Sequence, residues 1–243
     1  MILQLFFLLC FILTHLFAAK LQFLDTKPRH KWLSISGGIA VAYVFIHIFP
    51  ELEIAQDTIS KGGSFLPFLE HHAYLVALLG LILFYGLEKS VSYAQIAPGE
   101  ETDTNETTTS IGFFWLHIAS FSVYNALISY LFVHREEQDL QGLIFFSIAM
   151  GLHFLVNDFS LRRYHKNTYH RTGRRVLSTS ILIGWLVGLV THISEAATAV
   201  LFAFLAGGVI LNVLKEELPE ERESRFWPFA LGAVFYSVLL ILL

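Results

Sequence analysis

The sequence predicts an all-α membrane protein with eight transmembrane helices, and three observations predict it. Apolar residues make up 55% of the 243-residue chain and charged ones only 15%. An ordinary soluble domain is roughly 25% charged, so polar side chains are too few to cover a water-soluble fold of this size. The apolar residues fall into stretches near the ~20 residues a helix needs to cross a bilayer. The basic residues gather in alternate connections between those stretches, the asymmetry that orients helical membrane proteins. The formal net charge of −4 gives no reason to expect a nucleic-acid partner. Cys10 is the one cysteine, which excludes an intramolecular disulfide and a cysteine-based metal site.

Taken in order, the first span covers residues 2–19. No Lys or Arg precedes it, and Phe17 and Ala19 make a poor cleavage site, so it reads as a retained helix rather than a signal peptide. The second (33–50) ends in His47-Ile48-Phe49-Pro50-Glu51, and the third (73–92) follows His71 and His72, which mark its outer boundary. Residues 94–110 carry Glu100, Glu101, Asp103, Glu106 and a run of Thr, and are expected to form a flexible, solvated cytoplasmic loop. The fourth and fifth spans cover 111–133 and 140–158. The sixth (176–193) and seventh (195–214) are divided only by Thr191-His192-Ile193-Ser194-Glu195, so one long helix, and seven spans, is the competing reading. The eighth is 226–243, and the whole chain reads as a single polytopic domain.

Eight spans with the N-terminus outside place Lys20, Lys27, Arg29 and Lys31 in the first connection and Lys89 at the start of the third. Arg162, Arg163, Lys166, Arg171, Arg174 and Arg175 fall in the fifth, and Lys215, Arg222 and Arg225 in the seventh. Only Lys61 and Arg135 of the 16 basic residues then lie on the other side. Both termini are therefore expected outside the cytoplasm. The seven-span reading would move the Lys215–Arg225 cluster out and spoil the pattern.

Two spans look alike. Gly37-Gly38-Ile39-Ala40-Val41 leads to Pro50-Glu51, and Gly207-Gly208-Val209-Ile210-Leu211 leads to Pro219-Glu220. Gly38 to Pro50 and Gly207 to Pro219 are both twelve residues apart. On the eight-span topology these helices cross in opposite directions, the signature of an inverted repeat.

These stretches, with Leu79-Gly80-Leu81-Ile82-Leu83-Phe84 through Glu88 and with His153-Phe154-Leu155-Val156-Asn157-Asp158, resemble the ZIP family of divalent-metal transporters. The resemblance implies an inverted repeat of helices 1–3 and 6–8 around helices 4 and 5, with the metal held between the latter two. It also implies a divalent cation such as zinc as transported ion, with no resident cofactor, and the bilayer and a homodimeric assembly as further partners. The family's fourth helix usually reads His-Asn-x-x-Asp/Glu-Gly and its fifth His-Glu-x-Pro-x-Glu. Here Phe121 stands in place of the first His, Asn125 in place of a carboxylate, and Asn157 in place of the carboxylate one turn after His153. A homologue that no longer transports, but senses or scaffolds, fits the same pattern.

The candidate metal site is His153, Asn157 and Asp158 with Asn125 and Ser122. His153 and Asn157 are four apart and share a helix face, whereas Asp158 points about 100° away. Ser122, Asn125 and Ser129 stripe the fourth helix, so the two faces can line a polar seam, with Asn125 or Ser122 as partner for His153. Such residues also bond membrane helices together with no ligand. His47 and Glu51 form a pair at an outer helix end, and His117 lies above Asn125 on nearly the same face. His165 and His170 sit in the basic connection, whose plain role is contact with anionic lipid. Two further readings use the same residues. A zinc hydrolase would need His153, Asp158 and His192 or His117 to converge. A haem protein would take two axial ligands from His47, His117, His153 and His192.

Overall fold

The fold is that of a computed structural model describing residues 2–17, 20, 31–61, 73–96, 105–134, 140–217 and 225–242. Among the described residues all regular structure is helical. The helices are α1 (Ile2–Phe17), α2 (Lys31–Tyr43), α3 (Phe49–Lys61), α4 (Ala73–Ile96), α5 (Asn105–Val133), α6 (Leu140–Thr168), α7 (Arg174–Val190), α8 (Glu195–Asn212) and α9 (Phe226–Leu242). Wider π-helical segments join α2 to α3 (Val44–Ile48), join α6 to α7 (Tyr169–Gly173) and extend α8 (Val213–Glu217).

Among the described residues five stretches are long and apolar enough to cross a membrane: Lys31–Lys61, Phe114–Val133, Leu140–Arg162, Tyr169–Val190 and Glu195–Lys215. Ile2–Phe17, Ala73–Leu87 and Phe226–Leu242 are further apolar helical stretches. The helices turn large apolar side chains outward, among them Ile82, Ile183, Leu186, Val234 and Phe235. Apolar surface on that scale is costly in water and ordinary in lipid.

Element boundaries differ from the sequence reading where hydropathy was asked to mark a helix end. The second span runs on through Pro50 to Lys61 as α3. Proline lacks the N–H that an α-turn needs, but the helix has already widened, with the Phe49 N–H bonding Val44 carbonyl, so the ring enters without breaking the rod. Residues 159–175, read as a connection, are helical. Arg and Leu are good helix formers, so charge there marks the bilayer edge rather than the end of a helix. The expected loop 94–110 shrinks, because α4 reaches Ile96 and α5 starts at Asn105. Residues 97–104, His71 and His72 lie outside the described residues.

The break between the sixth and seventh spans is real. Thr191 is extended, at φ −119° and ψ 140°, and the Ser194 hydroxyl accepts the Ala197 N–H at 3.2 Å as the N-cap of α8. The His134 imidazole meets the Thr191 carbonyl at 3.1 Å, so the end of α5 holds this break in place.

Close approaches at glycine set the packing. A methyl group at Gly38 would strike the Phe229 carbonyl and lie 2.7 Å from the Ala233 nitrogen; one at Gly232 would strike the Ile35 carbonyl. The α4–α8 pair repeats this pattern. Gly207 faces the Ala77 carbonyl and the Leu81 nitrogen, and Gly80 faces the Phe204 carbonyl. The residue spacings match on both sides, and the π-helical segments begin at Val44 and Val213, six residues after Gly38 and Gly207. Along α5 the partners on α6 descend from Phe146 beside Phe132, through His153 beside Tyr124, to His165 beside His117. Those on α7 ascend, from Gly173 beside Ile118 to Gly184 beside Ala126. The chain therefore reverses around Tyr169–Gly173, which brings Tyr169 back toward α6.

Candidate functional site

The polar residues of the bundle interior converge where α1, α5 and α6 meet. His15, Asn125, His153, Asn157 and Asp158 are all at most 3% exposed. Their spacing on α6 decides which neighbour each faces. His153 and Asn157, one turn apart, look toward α5, where the Tyr124 hydroxyl donates to His153 Nε2 at 2.9 Å. The Asn157 amide donates to the same nitrogen at 3.1 Å. Nε2 is thus the acceptor and the ring proton sits on Nδ1, which has no hydrogen-bond partner within the chain. Tyr124 is bonded in turn to Asn212 of α8.

Asp158, rotated about 100° from that face, looks toward α1. His15 Nδ1 lies 2.8 Å from both of its carboxylate oxygens, and the Tyr169 hydroxyl donates to one of them. The Asn125 amide donates to His15 Nε2 at 3.1 Å, while Asn125 Oδ1 is buried without a partner. This pattern is met by a neutral His15 protonated on Nδ1. The guanidinium groups of Arg162 and Arg174 act electrostatically on Tyr169, and Arg174 also bonds the Leu16 carbonyl at 3.0 Å. One carboxylate, two imidazoles and two amides therefore make a polar seam of two neighbouring hydrogen-bonded sets, one around His153 and one around Asp158, that ties α1, α5, α6 and the turn into α7.

Of the predicted site residues, His153, Asn157, Asp158 and Asn125 belong to this seam. Ser122 does not: its hydroxyl bonds the Ile118 carbonyl of its own helix at 2.7 Å. The partner of His153 across the seam is Tyr124, where Asn125 or Ser122 was expected, because Tyr124 alone reaches Nε2 from α5. Sequence reasoning missed His15, Tyr124, Tyr169 and Asn212. His15 carried a legible signal, an ionisable residue inside an apolar span. Tyr169 did not, since it lay in a stretch read as a connection.

The other histidines sort elsewhere. His117 meets His165 at 2.9 Å, and burial holds His165 below its usual pKa. His134 and His192 pair at 5.9 Å near the far end of α5. His117 and His134 are separated by about 25 Å of helix rise, so His117 and His192 stand toward opposite ends of α5. His47 stacks on Tyr43 at 4.8 Å and lines a cavity with Glu51, His134, Phe146 and Phe202. Among the described residues, no three His, Cys, Asp or Glu side chains form a group that could hold a metal ion. Compared with protein-family models, curated proteins and solved structures, the chain matches none.

Proposed function

We propose that this chain is a ZIP-like carrier that moves a divalent cation, such as zinc, by alternating access. In this reading it has eight spans, an inverted repeat of helices 1–3 and 6–8 around helices 4 and 5, and both termini outside the cytoplasm. Support for the repeat comes from the matched glycine contacts of α2 with α9 and of α8 with α4. The equal offset of the π-helical segments adds to it. Support for the orientation is the one-sided distribution of Lys and Arg.

The observation that carries the transport reading is the unmet bonding capacity of two expected ligands. His153 Nδ1 and Asn125 Oδ1 are buried without partners, at a cost of about 1–3 kcal/mol each. A cation at His153 Nδ1 would shift the ring proton to Nε2, toward Tyr124 and Asn157. Ligating imidazoles are held in this way by partners on their other nitrogen. Asn125 Oδ1 would supply an oxygen ligand. Uptake of several divalent ions into vesicles reconstituted with the protein, beside a His153→Ala variant, tests the reading. Saturable uptake lost in the variant is expected; unchanged uptake removes His153 from the mechanism. Tags at both ends should be accessible from outside right-side-out vesicles, with residues 162–175 protected. A protected C-terminus beside an accessible N-terminus would sink the eight-span topology.

One observation favours a second reading, a non-transporting homologue. Asp158, the seam's only carboxylate among the described residues, is already bonded by His15 and Tyr169, and a carboxylate so occupied is a weak cation ligand. A folded, eight-span parent that takes up no divalent ion would decide for this alternative.

A further inference from the structure

The α2–α9 seam carries a feature that neither transport nor scaffolding uses. Because Gly38 and Gly232 bring the two backbones into contact, the larger side chains beside the seam stand out from it and wall an open groove. Ile35 lines one side and Ala230, Leu231 and Val234 the other, and the groove has a volume of about 850 Å³. That is within the roughly 300–1,000 Å³ of ligand sites. Its chemistry is graded along its length. Both basic residues that line it, Lys31 and Arg225, stand at one end, where α2 and α9 begin. The Arg225 carbonyl accepts the Phe229 N–H at 3.1 Å, which fixes that residue at the entrance to α9. Trp227 and Phe226, 80% and 68% exposed, flank the same end with Trp32. Below them the lining is apolar and open to the surroundings, with Leu231 65% and Val234 63% exposed.

We propose that this groove is a binding site for an anionic phospholipid. Lys31 and Arg225 take the phosphate and the negative headgroup, Trp227 and Phe226 sit at headgroup level, and one acyl chain lies against Ile35, Leu231 and Val234. Charge complementarity selects this occupant. Two cations at one end of an apolar channel match a negatively charged head on a hydrocarbon tail, and basic pockets between membrane helices hold such heads. Aromatic rings at that level match the headgroup region of a bilayer. A soluble anion would leave the apolar walls unused, and a neutral lipid would bring no net charge to the basic end. The site depends neither on which end of the bundle is cytoplasmic nor on what the central seam carries.

The test is a titration of the full-length protein in mild detergent, followed by native mass spectrometry. Phosphatidylglycerol and phosphatidylcholine of identical chains are compared, with inorganic phosphate as competitor. One phosphatidylglycerol should bind preferentially. At roughly fivefold per basic residue, Lys31→Ala/Arg225→Ala should weaken it by about 30-fold. Leu231→Trp, which fills the groove and keeps both cations, should weaken it as well. Lys61→Ala/Lys89→Ala, which removes equal charge elsewhere, should not. Equal retention of the two lipids, an unchanged Lys31/Arg225 variant, an equal loss in the Lys61/Lys89 control, or displacement by millimolar phosphate would each overturn the assignment.

Discussion

Replacing His15 by Leu should destabilise the bundle far more than the loss of one hydrogen bond between membrane helices. The imidazole contacts both oxygens of Asp158 at 2.8 Å, and the two residues are 1% and 0% exposed. Leaving a buried charged group short of a hydrogen-bond donor costs about 3 kcal/mol or more, because burial denies it water in exchange. The Tyr169 hydroxyl stays on Asp158, so a loss of about 3 kcal/mol is expected. His15→Leu also frees Asn125, adding to the loss. Interhelical hydrogen bonds in membrane proteins average about 0.6 kcal/mol, so the two outcomes are well separated. His15→Leu/Asp158→Leu should recover most of the loss, since replacing a whole buried pair by apolar side chains is close to neutral. A double-mutant cycle read by denaturant unfolding in micelles would measure the coupling. A His15→Leu loss below about 1 kcal/mol, or a double variant as unstable as the two singles summed, would refute the idea that the pair is a mutually dependent unit.

Other perturbations discriminate further. Gly207→Leu should prevent assembly, because the side chain would be driven into the Ala77 carbonyl. Gly112→Ala, where a methyl group meets nothing within 4 Å, should gain up to about 1 kcal/mol from helix propensity; equal yields of folded protein from the two would contradict the packing. Asn125→Asp/Asn157→Asp should raise divalent-metal affinity in binding titrations through two charged oxygen ligands and lower the melting temperature without metal; unchanged affinity would place the cation elsewhere. Burial lowers the His165 pKa, so below about pH 6.5 the unfolded chain binds a proton that the folded chain resists. Stability should then fall on acidification by up to about 1.4 kcal/mol per pH unit. His165→Phe should flatten the pH dependence of amide exchange near residues 114–118, and an unaltered profile would remove His165 as its source.

The helical, apolar character was legible because it rests on summed composition, which needs no tertiary information. The Thr191–Ser194 break was preferred over one long helix on the basic-residue pattern, and the Ser194 N-cap makes it. Helix ends were less so. Pro50 and Arg162 look like terminators, yet a π-helical segment admits the one, and the other tucks its guanidinium over the Phe159 ring at 5.6 Å. In the site, the i, i+4 rule placed His153 and Asn157 on one face and set Asp158 apart. The identity of their partners was beyond it. Tyr169 reaches Asp158 only because the chain reverses, a long-range event with no local signature. His15 was readable in principle, but the first span was weighed for cleavage and not for what it could bring to the interior.

The two kinds of contact in this bundle differ in what they permit. The α2–α9 and α4–α8 seams are backbone against backbone at glycine, so sliding either pair would drive carbonyls and amides into one another. Contacts of α1, α5 and α6 around Asp158 are side-chain hydrogen bonds, which can be exchanged for others by a rotamer change. If access to the seam alternates, the glycine-locked pairs are the parts suited to move as units. The bonds that must then open and re-form are those of His15, Asn125 and His153. That places the polar seam at the point of greatest leverage, and it gives a physical reason for a buried polar pair that adds little net stability over an apolar one.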